Sequence, residues 1–205
     1  MPQFRMIDVG ELRLRVALEG EGPLVLMVHG FPESWYSWRH QLEPIAAAGF
    51  TAAAIDVRGY GGSDKPHPVN AYAMERIVAD VAGAIEVLSP AAPAIVVGHD
   101  WGAPIVWNTA LTRPEHVRAV AGLSVPYVGV PNRSMTEMIE EVFTRHGRFF
   151  YQHYFQAEGG GGGDGGRHSW RLKALLLRYL RRRPGPHVAD QQGRGRSLAP
   201  GPARS

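Results

Sequence analysis

The 205-residue sequence has no cysteine. Disulfides and thiolate metal sites are therefore excluded, and nothing argues for an oxidising compartment. A long apolar run is also missing from its start: in "MPQFRMIDVGELRLRVALEG" the charges of Arg5, Asp8, Glu11 and Arg13 interrupt the hydrophobic residues. Neither a signal peptide nor a transmembrane span is expected from that pattern, and a soluble, cytoplasmic protein is the default. No cofactor and no metal site is expected, and no feature speaks to oligomeric state. What is present is a hydrophobic content of 44%, enough for one globular domain with its own core.

The formal net charge of +3 hides an uneven distribution. Residues 159–205 carry ten Lys and Arg against Asp164 and Asp190, which leaves the first 158 residues with 12 basic and 17 acidic side chains. The basic pI of about 9.4 thus belongs to the tail and is no sign of nucleic-acid binding by the body.

Along the body, strand-like apolar runs alternate with segments of helical period, the pattern of an α/β domain with a mainly parallel sheet covered on both faces. "FRMIDV" and "LRLRVAL" alternate as an antiparallel edge hairpin around Gly10, and "PLVLMVHG" reads as a strand buried on both faces. "WRHQLEPIAAAGF" reads as a helix ending near Gly49, followed by the strand "TAAAIDVRG". In "AYAMERIVADVAGAIEVL", Met74, Ile77, Val78, Val81, Ile85 and Leu88 form one stripe of an amphipathic helix. "AIVVGHD" then supplies a strand, "WGAPIVWNTALTRP" a helix ending before Pro114, and "VRAVAGLSVP" a further strand.

The segment "VVGHDWGAP" lies where such a strand meets such a helix. Its Gly98 and Gly102 flank Asp100 at two residues on either side. That spacing is the sharp strand-to-helix turn that lifts a nucleophile above a sheet, and small neighbours make room for its strained backbone. A carboxylate there points to a particular electrophile. Serine attacking saturated carbon would give an ether that an oxyanion hole cannot help water to cleave. A carboxylate is ionised at neutral pH, can displace at saturated carbon, and yields an ester whose carbonyl water can attack. Epoxides and alkyl halides are the substrates that follow from this chemistry.

Four strings in order, "HGFPESWYSWRHQL", "DVRGYGGSDKP", "GHDWGA" and "FYQHYFQ", resemble the epoxide hydrolases of the α/β-hydrolase superfamily over roughly residues 4–157. The resemblance implies an α/β-hydrolase fold, Asp100 as nucleophile and the backbone N–H groups of Phe31 and Trp101 as oxyanion hole. "HGFP" suits the hole, because Gly30 lets the loop turn its amides inward and Pro32 fixes the exit. It further implies that Tyr151 donates a proton to the opening epoxide oxygen, with a small epoxide and water as the reacting partners and no nucleic acid. Trp35 and Pro32 are expected to line the substrate pocket. Gly30, Gly98, Gly102, His29 and His99 are expected to be structural, the two imidazoles bonding backbone around the turn.

Plainer roles stand beside these. Asp100 could simply cap a helix, and Tyr151 and Tyr154 could be ordinary half-buried aromatics. Trp35, Trp38 and Trp107 read as core or pocket lining, while Asp56 and Asp64 read as local anchors of the "DVRGYGGSD" loop. A haloalkane dehalogenase-like hydrolase is the alternative enzyme, since it too places an aspartate before a tryptophan.

Three segments are expected: residues 1–131 as the N-terminal part of the hydrolase core, 132–158 as the start of a helical cap, and 159–205 as a Gly/Arg/Pro-rich tail. Hydrolysis of the ester needs a histidine and an orienting acid from loops after later strands, and no strand-like run follows "FQAE". Instead "GGGGGDGGRHSW" begins, which is what G-rich coding DNA gives when read one base out of register. The tail therefore reads as out of frame or truncated, and turnover is expected to be impaired. Two further readings make it functional, as the basic tail of a non-catalytic fragment: "SWRLKALLLRYLRRR" as a membrane-surface helix, or the Gly/Arg-rich end as a nucleic-acid binder. His168 and His187 have no flanking strand to make either a general base.

Overall fold

A computed structural model describes residues 2–129, 133–148 and 150. The chain divides into two compact units, Met1–Val130 and Pro131–Ser205.

The first unit is built on a six-stranded sheet. In chain order its strands are β1 (Gln3–Asp8), β2 (Arg13–Glu19), β3 (Leu24–Val28), β4 (Thr51–Ile55), β5 (Ala94–His99) and β6 (Val117–Leu123). Three helices separate the later strands: α1 (Arg39–Ala47), α2 (Met74–Leu88) and α3 (Gly102–Thr112). The spatial order is β1-β2-β4-β3-β5-β6; β1 and β2 run antiparallel to their neighbours, and β4, β3, β5 and β6 are mutually parallel.

Strand alternation divides the core between the two faces of the sheet. Leu24, Leu26 and Val28 of β3 point to one face, where Val81, Ala84 and Ile85 of α2 and Ile105 and Val106 of α3 cover them. Val25 and Met27 point to the other face and pack with Trp38 and Leu42. All five residues of β3 are buried, as its uninterrupted apolar run implied. On α2, Val78, Val81 and Ile85 of the expected stripe are buried, and Met74, Ile77 and Leu88 pack at its margin. β6 pairs with β5 alone among the described residues, and none of its residues is buried.

The strand read as "TAAAIDVRG" ends at Ile55 and the one read as "VRAVAGLSVP" at Leu123, and two helix starts also differ from the sequence reading. The segment from Trp35 enters α1 through a 3₁₀ turn, Trp35–Trp38, and a second turn, Val69–Tyr72, precedes α2, which starts at Met74. In both places the hydrophobic period continues into a tighter helix, so periodicity alone does not locate the change.

Strand order fixes where a site can form. From β3 the chain crosses to β4 on one side, then returns through α2 to β5 on the other. The loops after β3 and β5 therefore leave the sheet side by side in opposite directions, opening a crevice at the carboxyl ends of these strands. Residues 29–33 and 99–101 meet there.

The second unit contains one described α-helix, α4 (Met135–Val142), within the segment expected to begin a cap. Ser134 Oγ accepts from the Glu137 amide at 3.2 Å, and Glu137 Oε2 accepts from the Ser134 amide at 2.9 Å, a reciprocal cap that holds the helix start. These bonds hold the Glu137 carboxyl below its ordinary value. No helix among the described residues is long and apolar enough to cross a membrane.

Candidate active site

Asp100 is the residue between β5 and α3, and its φ of 51° places it in the left-handed region. Its amide donates to the Leu123 carbonyl at 3.2 Å, and its carbonyl accepts from the Ala103 amide at 3.1 Å, so neighbouring elements hold the strained residue on both sides. The two flanking glycines make the turn possible. A Cβ at Gly98 would lie 2.1 Å from the Gly102 carbonyl oxygen, and one at Gly102 would lie 2.1 Å from that of Val28. Helix α3 thus begins pressed against the ends of β3 and β5.

The helix-cap role for Asp100 does not hold. α3 starts at Gly102, the capping position is taken by Trp101, and no side chain bonds there. The Asp100 carboxylate is directed instead to the loop after β3: the Phe31 amide donates to its Oδ1 at 2.9 Å. Gly30 packs beneath, where a Cβ would meet the Asp100 Cβ at 2.4 Å. One carboxylate oxygen is held by a backbone N–H, and the side chain is only partly buried.

His29 is buried between backbone groups. Its Nδ1 donates to the Gly30 carbonyl at 2.8 Å, while its Nε2 accepts from the Val57 amide at 3.0 Å. Accepting at Nε2 requires the neutral imidazole. Burial lowers its pKa, outweighing the Gly30 bond and the charges of Asp56 and Glu33.

His99 departs from expectation. Among the described residues it bonds no backbone group around the turn; its Nδ1 lies 3.3 Å from Glu33 Oε1 and 3.4 Å from Oε2. Glu33 also accepts from the Gly30 amide at 3.1 Å, and its own amide donates to the Gly30 carbonyl at 3.2 Å. Burial pushes the Glu33 carboxyl up, but the Gly30 bond and the bond and charge of His99 more than reverse this, leaving it below its ordinary value. Sequence reasoning passed over Glu33. The available signal was its place immediately after "HGFP", on the loop whose amides were expected to turn inward.

The remaining expected residues fall into two groups. Pro32 is exposed beside Phe31 on the crevice loop. Trp35 stacks edge-on against Phe4 of β1, with ring centroids 4.9 Å apart, so part of it is structural packing. Trp38 is in the core, and Trp107 covers Gly122 while its indole N–H donates to the Val125 carbonyl at 3.2 Å. Asp56 and Asp64 reach beyond their own loop. Buried Asp56 accepts from the amides of Gly62 at 2.8 Å and Trp35 at 2.9 Å and pairs with Arg15, while Asp64 accepts from the Arg13 amide at 2.8 Å. The loop is pinned to the β1–β2 hairpin as much as to itself. Tyr151, Tyr154, His168, His187 and the tail lie outside the described residues.

Comparison with known proteins decides the family. The profile described as "alpha/beta hydrolase fold" matches residues 23–184. The chain belongs to the alpha/beta hydrolase fold family. Among curated members it is similar to epoxide hydrolase A of Mycobacterium tuberculosis, 42% identical over 203 residues that cover 98% of this chain and 61% of that one. Epoxide hydrolase B of the same organism is 43% identical over 149 residues, covering 68% and 42%. Among solved structures of this hydrolase fold, an epoxide hydrolase from an endophytic Streptomyces superposes with a TM-score of 0.74 at 45% identity, covering 87% of this chain and 51% of that one. Epoxide hydrolase A from Mycobacterium thermoresistibile superposes with a TM-score of 0.75 at 40% identity, covering 99% and 61%. The chain thus spans about three fifths of the length of the first of these relatives, and several of the matches run past residue 158.

Proposed function

We propose that this chain carries the epoxide-opening half of an epoxide hydrolase, with Asp100 as the nucleophile. The observation that carries the proposal is the 2.9 Å bond from the Phe31 amide to Asp100 Oδ1. It ties up one carboxylate oxygen and leaves Oδ2 as the attacking atom. Oδ2 forms a bond to an epoxide carbon, the carbon–oxygen bond of the ring breaks, and the departing oxygen takes a proton from the Tyr151 phenol. The product is a hydroxyalkyl ester of Asp100 whose carbonyl oxygen is Oδ1.

The same N–H then has a second use. When water adds to that carbonyl, negative charge develops on Oδ1, where the Phe31 amide, with that of Trp101, stabilises it. The start of α3 adds its dipole to this stabilisation. Trp35 and Pro32 border the pocket in this reading. No cofactor or metal is required, because the carboxylate supplies the nucleophile and water the second oxygen.

Hydrolysis also asks for an imidazole that can take a proton from water. Among the described residues His29 is held by two backbone groups, His99 faces Glu33, and His116 faces Glu86 and Glu115. None of the six described histidines is bonded to Asp100, so the described residues supply the nucleophile and the Phe31 amide, and slow release of the ester is the second part of the proposal.

The test is intact mass spectrometry after incubation with a small aryl epoxide. The expected result is one adduct of the epoxide's mass, abolished by Asp100→Asn. An adduct that survives this substitution refutes the nucleophile, whereas steady diol release dependent on Asp100 refutes the impairment alone. A haloalkane that alkylates Asp100 faster than any epoxide does would favour the dehalogenase reading.

A further inference from the structure

We infer that Glu33 is a positioning residue for the oxyanion hole, acting through the Gly30 amide; this rests on the epoxide-opening reading of Asp100. The loop after β3 leaves a buried strand and must present the Phe31 N–H at one distance from a carboxylate on another strand. Its closure is double. Glu33 N–H donates to the Gly30 carbonyl at 3.2 Å, and the Gly30 N–H donates back to Glu33 Oε2 at 3.1 Å, so residues 30–33 form a turn sealed through backbone and side chain together. Phe31 is inside that turn, and its N–H points out of it to Asp100 Oδ1.

The same carboxylate reaches across the crevice. His99, the last residue of β5 and the neighbour of Asp100, places Nδ1 3.3 Å from Glu33 Oε1. Glu33 therefore joins the loop carrying the hole's amide to the strand end carrying the nucleophile. The two connections across the crevice, Phe31 to Asp100 and Glu33 to His99, lie one residue apart at the end of β5 and two apart on the loop. With both in place the loop is held at two points and resists rotation about either. Without the second, the Phe31 N–H has a single tether, which is the one that must change its charge environment as the ester forms.

This arrangement separates two properties of Glu33. Its role through Gly30 needs an acceptor at the reach of a glutamate, whether charged or neutral. Glutamine keeps that reach, with its amide oxygen toward Gly30 and its NH₂ toward His99. Aspartate keeps the charge but is one methylene short, and alanine removes both contacts. Reaction rates in preorganised sites fall by about 10²-fold for a displacement near 1 Å, so the expected losses are of that order or smaller.

The test measures the rate of Asp100 alkylation by an aryl epoxide as a function of epoxide concentration, using intact mass, for the full chain and its Glu33→Gln, Glu33→Asp and Glu33→Ala variants. The limiting rate of the aspartate and alanine variants is expected to fall about 10- to 100-fold with little change in half-saturating concentration, while glutamine stays within about threefold of wild type. If alanine fails to fold, the aspartate variant decides the matter against glutamine. Wild-type limiting rates in the aspartate and alanine variants would overturn the inference, as would a glutamine variant as slow as aspartate. If the wild-type chain gives no Asp100 adduct, it is the parent reading that fails, and the two failures remain distinct.

Discussion

Gly98→Ala tests how tightly the turn around Asp100 is built. An added Cβ would stand 2.1 Å from the Gly102 carbonyl oxygen, 2.4 Å from its carbon and 2.7 Å from the Ala103 nitrogen, all backbone atoms at the start of α3. Ordinary carbon–oxygen contacts begin near 3.3 Å, so β5 and α3 must separate by about 1 Å. Forcing volume into a close-packed site costs about 1–3 kcal/mol, and replacing a strand glycine returns about 0.5–1 kcal/mol. A net loss of about 1–2 kcal/mol corresponds to a fall in Tm of about 2–8 °C for a chain of this size. The effect on chemistry is larger in proportion, because the displaced atoms carry Asp100: alkylation should slow by about 10- to 100-fold. Gly10→Ala is the control. Gly10 has φ +103° and no atom within 4 Å of an added Cβ, so it pays in backbone strain alone, about 1–2 kcal/mol, with no change in alkylation rate. Urea unfolding and intact-mass kinetics on both variants give the comparison. A Gly98→Ala protein that alkylates at the wild-type rate would refute the argument that these glycines set the nucleophile's position.

Three other outcomes are expected. His29 is neutral in the fold with its pKa lowered by burial, so the unfolded chain binds the extra proton: stability should fall as pH drops below about 6.5, by at most about 1.4 kcal/mol per pH unit, and flatten below the lowered value. Urea midpoints of wild type and His29→Gln across that range should show this slope in wild type alone. Asp80→Asn leaves buried Arg58 with exposed Glu11, 3.8 Å away, as its one charged partner among the described residues, since Arg58 Nε and Nη2 donate to the Asp80 carboxylate at 2.6 and 2.7 Å; a loss of about 3 kcal/mol in urea unfolding is expected. Tyr151→Phe removes the proposed proton donor, and the rate of epoxide alkylation should fall by about 10²-fold with no change in the urea midpoint.

Much of the fold was legible because its signals are local. β3 reads as a doubly buried strand from five consecutive apolar residues, and α2 reads as a helix from a stripe that the core then covers. The turn at Asp100 was legible for the same reason, since two glycines two residues away record a steric demand made by atoms close in sequence. What escaped depends on long-range geometry. The bond from Gly30 to Glu33 is local, but that from Glu33 to His99 spans 66 residues and exists because β3 and β5 are neighbours in the sheet. Asp56 looked like a loop anchor until the β2–β4 pairing brought Arg15 to it. The 3₁₀ turns before α1 and α2 were hidden because side-chain periodicity barely differs between the two helix types over a few residues.

The account stands on a covalent bond between Asp100 and the substrate, and the most direct measurement is to locate that bond. The chain is mixed with a small aryl epoxide, quenched in acid within seconds, digested, and its peptides sequenced by tandem mass spectrometry. The added mass is predicted on Asp100 alone and absent from the Asp100→Asn variant; mass on another residue, with Asp100 unmodified, would contradict the account.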